Sequence, residues 1–142
     1  DDVEMVYNAG VKKVTMDGED ITGKFNETGE LEIEGYNKAL DINNFQLEAI
    51  GAGAYVTKKI TTDGFDTYVT FTVTSNDLKN CVTRTITLKN YTTGIKNVET
   101  LTLPNGVKAI YNTAGQQITD MQSGQVYIVK YTNGETKKMI KK

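Results

Sequence analysis

Residues 68–74, "YVTFTVT", alternate apolar and hydroxyl-bearing side chains without a break. In a strand, successive side chains point to opposite faces. Val69, Phe71 and Val73 therefore share one side, and Tyr68, Thr70, Thr72 and Thr74 share the other. That pattern belongs to a strand buried on one face and wetted on the other, as in antiparallel sheets. It recurs along the chain. "LEIEGY" sets Leu31 and Ile33 against Glu32 and Glu34, and "FQLEA" sets Phe45, Leu47 and Ala49 against Gln46 and Glu48. "CVTRTITL" places Val82, Ile86 and Leu88 together, with Arg84 an intruder near an edge or end.

Helical periodicity is almost absent. "MDGEDITG", "NETGE", "NKALDIN", "IGAGA", "TTDG" and "TSNDLKN" separate the alternating runs, with Gly, Asn and Asp supplying turn chemistry. Short helices are expected at most around 37–43 and 76–80. About seven strands fit within residues 3–90, a spacing that predicts an all-β fold, an immunoglobulin-like antiparallel sandwich.

The formal charge of −2 is unevenly distributed. Residues 1–90 hold 15 Asp and Glu against 9 Lys and Arg, a balance of −6. Residues 91–142 hold 3 against 7, a balance of +4, which marks a second segment with a different role. The basic part lacks arginine and its lysines are scattered except at the end, so a nucleic-acid footprint is not expected. No run approaches the ~18 apolar residues of a membrane helix. The start "DDVEMVY" lacks an initiator methionine and is read as an excised or processed product.

Chemistry is constrained by what is missing. Without histidine, Ser–His and Cys–His nucleophiles and His-liganded zinc are excluded within this chain. The single cysteine, Cys81, excludes an intrachain disulfide and reads as a small apolar residue in or beside a strand. "GAGAYV" lacks the third glycine of a dinucleotide fingerprint. No cofactor is expected. Asp17, Glu19 and Asp20, with Asp63 and Asp66, lack the ligand spacing of a calcium loop and read as turn residues, so no metal site is expected. The acidic residues sit on exposed alternating positions. Enzymatic activity is therefore not expected.

"YTTGIKNVETLTLPNG" (91–106) contains the sole proline, Pro104, and reads as a connector or an edge. The expected division is a sandwich over 1–92, a connector over 93–106 and a C-terminal β segment over 107–142. In that segment Asn133-Gly134 predicts a two-residue type I′ hairpin. Centred there, Tyr131 pairs with Thr136, Lys130 with Lys137, Val129 with Lys138, Ile128 with Met139 and Tyr127 with Ile140. Tyr127, Val129, Tyr131 and Ile140 then form the buried face. Fewer than ~70 residues rarely support a core alone, so this segment should pack on the sandwich, complete a sheet with a partner, or be marginal.

"GIKNV", "VKAIYNTAGQQI" and "SGQVYIVKYTNGETKKMIKK", in that order, resemble the C-terminal sorting region of exported Bacteroidetes-type proteins handled by type IX secretion. Tyr111, Asn112, Gly115 and Gln116 match that family's first turn. Gly124, Tyr127, Ile128, Val129 and Lys130 match its central strand. Asn133 and Gly134 form the hairpin turn, and Lys137, Lys138, Lys141 and Lys142 match its lysine-rich ending. "VTMDGEDIT" is similar to accessory immunoglobulin-like modules beside catalytic domains in secreted bacterial polysaccharide-degrading enzymes. The resemblance implies an exported, cell-surface or extracellular multidomain parent. Its partners would be the secretion machinery and neighbouring domains of that parent. The alternative is a carbohydrate-binding module contacting polysaccharide through Tyr68, Tyr36, Tyr55 and Tyr91, since no tryptophan is present.

Overall fold

A computed structural model describes residues 9–50, 53–92 and 97–142; residues 1–8, 51–52 and 93–96, the last within the expected connector, lie outside the described residues. The chain is all-β. Strand β1 (Val11–Met16) pairs with the two-residue β2 (Glu19–Asp20) and with β4 (Phe45–Ala49), all antiparallel. A second sheet runs in the order β3 (Glu30–Ile33), β7 (Cys81–Leu88), β6 (Asp66–Thr74), β5 (Tyr55–Asp63) and β8 (Asn97–Thr102). Its pairings are antiparallel except that of β3 with β7, which is parallel. The alternation read from the sequence supplies seven strands over 11–88. Among the described residues, helix is confined to single 3₁₀ turns at Thr22–Lys24 and Ile42–Asn44, and residues 76–80 form a turn loop.

The two sheets face each other through one apolar core. Val14, Met16, Ile21 and Phe45 come from the first layer, and Ile60, Val69, Phe71, Ile86 and Leu88 from the five-stranded sheet. Leu31, Ile33 and Leu47 pack around its rim, as their parity requires. Arg84 shares the inward parity, opposite Phe71, and donates from its guanidinium to the Thr83 carbonyl at 2.9 Å. Cys81 begins β7 and is exposed.

The stretch expected as connector or edge contains an edge strand. Val98 lies opposite Ile60 and Leu101 opposite Thr57 in the pairing of β8 with β5. Alternation in "NVETLT" explains this, and Pro104 marks where pairing stops. The chain then turns into a third sheet of order β11 (Thr136–Ile140), β10 (Val126–Tyr131) and β9 (Val107–Asn112). The expected hairpin is thus the outer part of a three-stranded sheet.

This third sheet packs on the sandwich. Val107, Ile110, Met121, Tyr127 and Val129 form a second apolar cluster with Tyr55 of β5 and Leu78 of the β6–β7 loop. Tyr55, Thr57 and Thr74 share the outward parity of Tyr68 yet are buried. At this end the five-stranded sheet is covered on both faces. Three layers result here, one more than the usual minimum for a domain.

Candidate functional site

From Tyr111 onward, the residues carrying the sorting-type resemblance fall together in the strands and turns of the third sheet, whereas of "GIKNV" Asn97 and Val98 lie in β8 and residues 94–96 lie outside the described residues. Tyr111 and Asn112 end β9, and Asn112 closes the turn that follows. Its Oδ1 accepts the backbone N–H groups of Ala114 (3.0 Å) and Gln116 (2.9 Å), and its Nδ2 donates to Gln116 Oε1 at 2.9 Å. Such Asx bonding is why asparagine serves turns well. Gly115 adopts φ 83° there. Gly124 adopts φ 80°, and its N–H donates to the Lys141 carbonyl at 2.7 Å.

The hairpin register differs by one residue from the sequence expectation. Lys130 lies opposite Thr136, Val129 opposite Lys137, Ile128 opposite Lys138, Tyr127 opposite Met139 and Val126 opposite Ile140. The loop has three residues, Thr132-Asn133-Gly134, closed by Tyr131 N–H to the Glu135 carbonyl (2.8 Å) and Gly134 N–H to the Tyr131 carbonyl (3.0 Å). Only Gly134 has positive φ, at 92°, whereas a type I′ turn needs it at Asn133 also. Asn133 instead caps the loop, its Oδ1 accepting from Glu135 N–H at 2.9 Å.

A one-residue slip exchanges the faces of the partner strand. Tyr127 and Val129 are buried as expected, with Tyr131 packed beside them, but Met139 takes the inward place assigned to Ile140. Ile140 is 61% exposed. The slip also removes the expected clash of Lys130 with Lys137, whose ammonium lies 5.6 Å from the centre of the Tyr131 ring.

The lysines divide by position. Lys137, Lys138 and Lys142 are exposed and Lys130 is half-buried. Lys141 is buried, with its backbone N–H donating to the Gln125 carbonyl at 2.9 Å. The arrangement leaves an edge strand with a cationic rim and one protruding isoleucine. Edge lysines oppose strand-to-strand aggregation and provide charge to an anionic partner.

The four tyrosines considered for sugar contact do not form one platform. Tyr55 is buried beneath the third sheet, so it has no ring face to offer. Tyr36 packs edge-on to Tyr91, with centroids 5.1 Å apart, and against Phe45. The Tyr36 hydroxyl donates to Asp17 at 3.0 Å, and the Tyr91 hydroxyl to the Lys38 carbonyl at 2.6 Å. Burial, then the bond to Asp17, pushes the Tyr36 phenol up to about 12. Tyr68 is separate from these. It lies on the outer face of β6 between Thr61 and Thr87, half-exposed.

Phe65 was not singled out in the sequence. It occupies the β5–β6 hairpin tip and is 80% exposed. Its signal was available: Asp63 pairs with Asp66, leaving Gly64-Phe65 as a two-residue loop with no layer above it. Of the acidic turn residues, Asp17 bonds the Tyr36 hydroxyl, Glu19 pairs with Lys24 and Asp20 accepts from Thr22. Asp66 accepts from the Asn90 N–H (2.9 Å) and the Lys89 ammonium (3.3 Å), and the same bonds hold its carboxyl below the usual range.

No family model, no curated protein and no solved structure matches the chain. Among the described residues, no helix is long and apolar enough to cross a membrane.

Proposed function

We propose that this chain is a non-catalytic accessory β-sandwich carrying a C-terminal sorting or anchoring segment of an exported, cell-surface or extracellular bacterial protein, with a polysaccharide-degrading enzyme as the expected type of parent. One observation supports this reading above others. Folding occupies the glycines, Asn112, Tyr127 and Val129 of the third sheet, while Lys137, Lys138 and Lys142 face solvent. A segment of this kind presents a distinctive cationic edge without needing a cavity or a reacting group. The sandwich contributes by holding the segment through Tyr55 and Leu78 and by spacing it from a neighbouring domain.

The test is export of an inert passenger fused ahead of the whole chain in a host with type IX secretion. Truncation after Leu103 should leave the passenger in the periplasm, whereas the intact fusion should reach the cell surface or medium. Equal export of both fusions would remove the sorting role.

A second reading is favoured by the position of Tyr68. Its half-exposed ring, flanked by threonine hydroxyls on a wet sheet face, suits one sugar ring stacked on the phenol. Loss of retention on a polysaccharide panel in Tyr68→Ala, with Tyr36→Ala unaffected, would support that reading over the first.

A further inference from the structure

Strand β8 pairs with β5 along one edge, and no other strand among the described residues pairs with it. Such an edge offers a row of backbone donors and acceptors to an incoming chain. Two cavities flank it. Leu101 and Leu103 face a cavity of 320 Å³ shared with Ile110 of β9 and Ile118 of the β9–β10 connection. Thr100 and Thr102, of the opposite parity, face one of 260 Å³ lined by Leu47, Val56 and Lys58. A groove of 530 Å³ continues the second past Ala54 and Pro104. Neighbouring residues of a strand laid beside β8 would alternately meet these two sides.

The second side has a particular charge. Lys58 points inward between the sheets, and its ammonium donates to the carbonyls of Ile42 (2.6 Å) and Phe45 (2.9 Å). Among the described residues no carboxylate forms an ion pair with it, while nearby Lys12 and Lys59 are paired with Glu48 and Glu99. An ammonium has three donors, so one is left for an arriving acceptor. Burial lowers the Lys58 pKa, and the Asp41 carboxylate, which acts on the ammonium without forming an ion pair, offsets only part of that cost.

We propose that the free edge of β8 accepts an extended segment of another protein, one that places apolar side chains toward Leu101 and Ile118 and a carboxylate toward Lys58. Main-chain bonds to β8 would supply affinity, and the two unlike sides would fix register and sequence. The carboxylate gives selectivity because a cation in its place would meet Lys58 in a partly desolvated groove. This inference does not depend on the sorting role of the third sheet.

The probe is the peptide acetyl-Val-Thr-Val-Glu-Val-Thr-Val-amide, compared with its analogue carrying lysine in place of glutamate. Both are titrated into the full chain and followed by backbone amide shifts. The glutamate peptide should shift Asn97–Thr102 and bind about tenfold more tightly than the lysine analogue. Lys58→Met should bring the two within about twofold of each other. The peptide comparison uses the unmodified chain, so it stands if Lys58→Met does not fold. No shift in β8, equal binding of both peptides, shifts confined to β11, or occupation of the β8 edge by a second copy of this chain would each overturn the proposal.

Discussion

The backbone N–H of Lys142 donates to the carbonyl of Leu78 across 3.0 Å, tying the third sheet to a loop of the sandwich. Leu78 is fully buried at φ 64°, a conformation that costs a branched side chain energy. Ser75 stabilises the loop around it, donating from its hydroxyl to Asp77 at 2.6 Å and accepting from the Asn80 N–H at 3.0 Å. The side chain of Leu78 then fills the cluster shared with Tyr127 and Val129.

Leu78→Ala should therefore lower stability by about 2–5 kcal/mol, the range for truncating a buried leucine. Hydrogen exchange should show the loss mainly in β9–β11 if the third sheet opens first. Chemical denaturation measures the total, and a change below about 0.5 kcal/mol would contradict the packing described.

Tyr55 should behave in the opposite sense. Its hydroxyl is buried and has no hydrogen-bond partner among the described residues. Removing an unpaired buried hydroxyl while keeping the ring relieves a desolvation penalty. Tyr55→Phe should stabilise the chain by about 1 kcal/mol in urea unfolding. A clear loss would reveal a bond to that hydroxyl.

Alkaline pH should unfold the protein through its buried phenols. Burial raises the pKa of Tyr55, Tyr36 and Tyr131, with Tyr36 reaching about 12. A raised folded-state pKa gives stability that is fully present below the unfolded value of about 10 and lost as pH climbs through the folded value. Lys58 acts with the reverse sign: its pKa is lowered, so its contribution to stability rises as pH approaches the ordinary lysine value. The phenols outnumber it. Stability should fall between about pH 10 and pH 12, with late tyrosine ionisation coinciding with unfolding. Ionisation of all tyrosines near pH 10 in a folded chain would contradict this.

The strands were legible because each long run has one wet face, as in Val69, Phe71 and Val73 against Tyr68, Thr70 and Thr72. Their partners were less so. The choice between a two-residue and a three-residue loop at Asn133-Gly134 rests on φ at Asn133, which composition does not reveal, and it exchanged Met139 with Ile140. Tyr55 was misplaced for a different reason. Its parity assigns it to the wet face, and only a sheet that begins at Val107, far along the chain, covers it. Within the candidate segment, the lysine run was visible, but the burial of Lys141 depends on its pairing with Gln125.

The third sheet should not fold by itself. Its cluster needs Tyr55 and Leu78, and a segment of this length rarely sustains a core without disulfide or metal. A peptide covering residues 103–142 should give a collapsed amide spectrum, while the same residues within the whole chain should be dispersed. Dispersion in the isolated peptide would show an autonomous unit.

The proposed role of the cationic edge is tested most directly by export of a passenger fused ahead of the chain carrying Lys138→Glu and Lys142→Glu together. Both side chains are exposed, so stability should stay within about 0.5 kcal/mol of the unaltered chain. The expected result is a passenger that folds normally and is retained in the periplasm of a type IX-competent host. Undiminished delivery to the cell surface or medium by this charge-reversed chain would contradict the role assigned to those lysines.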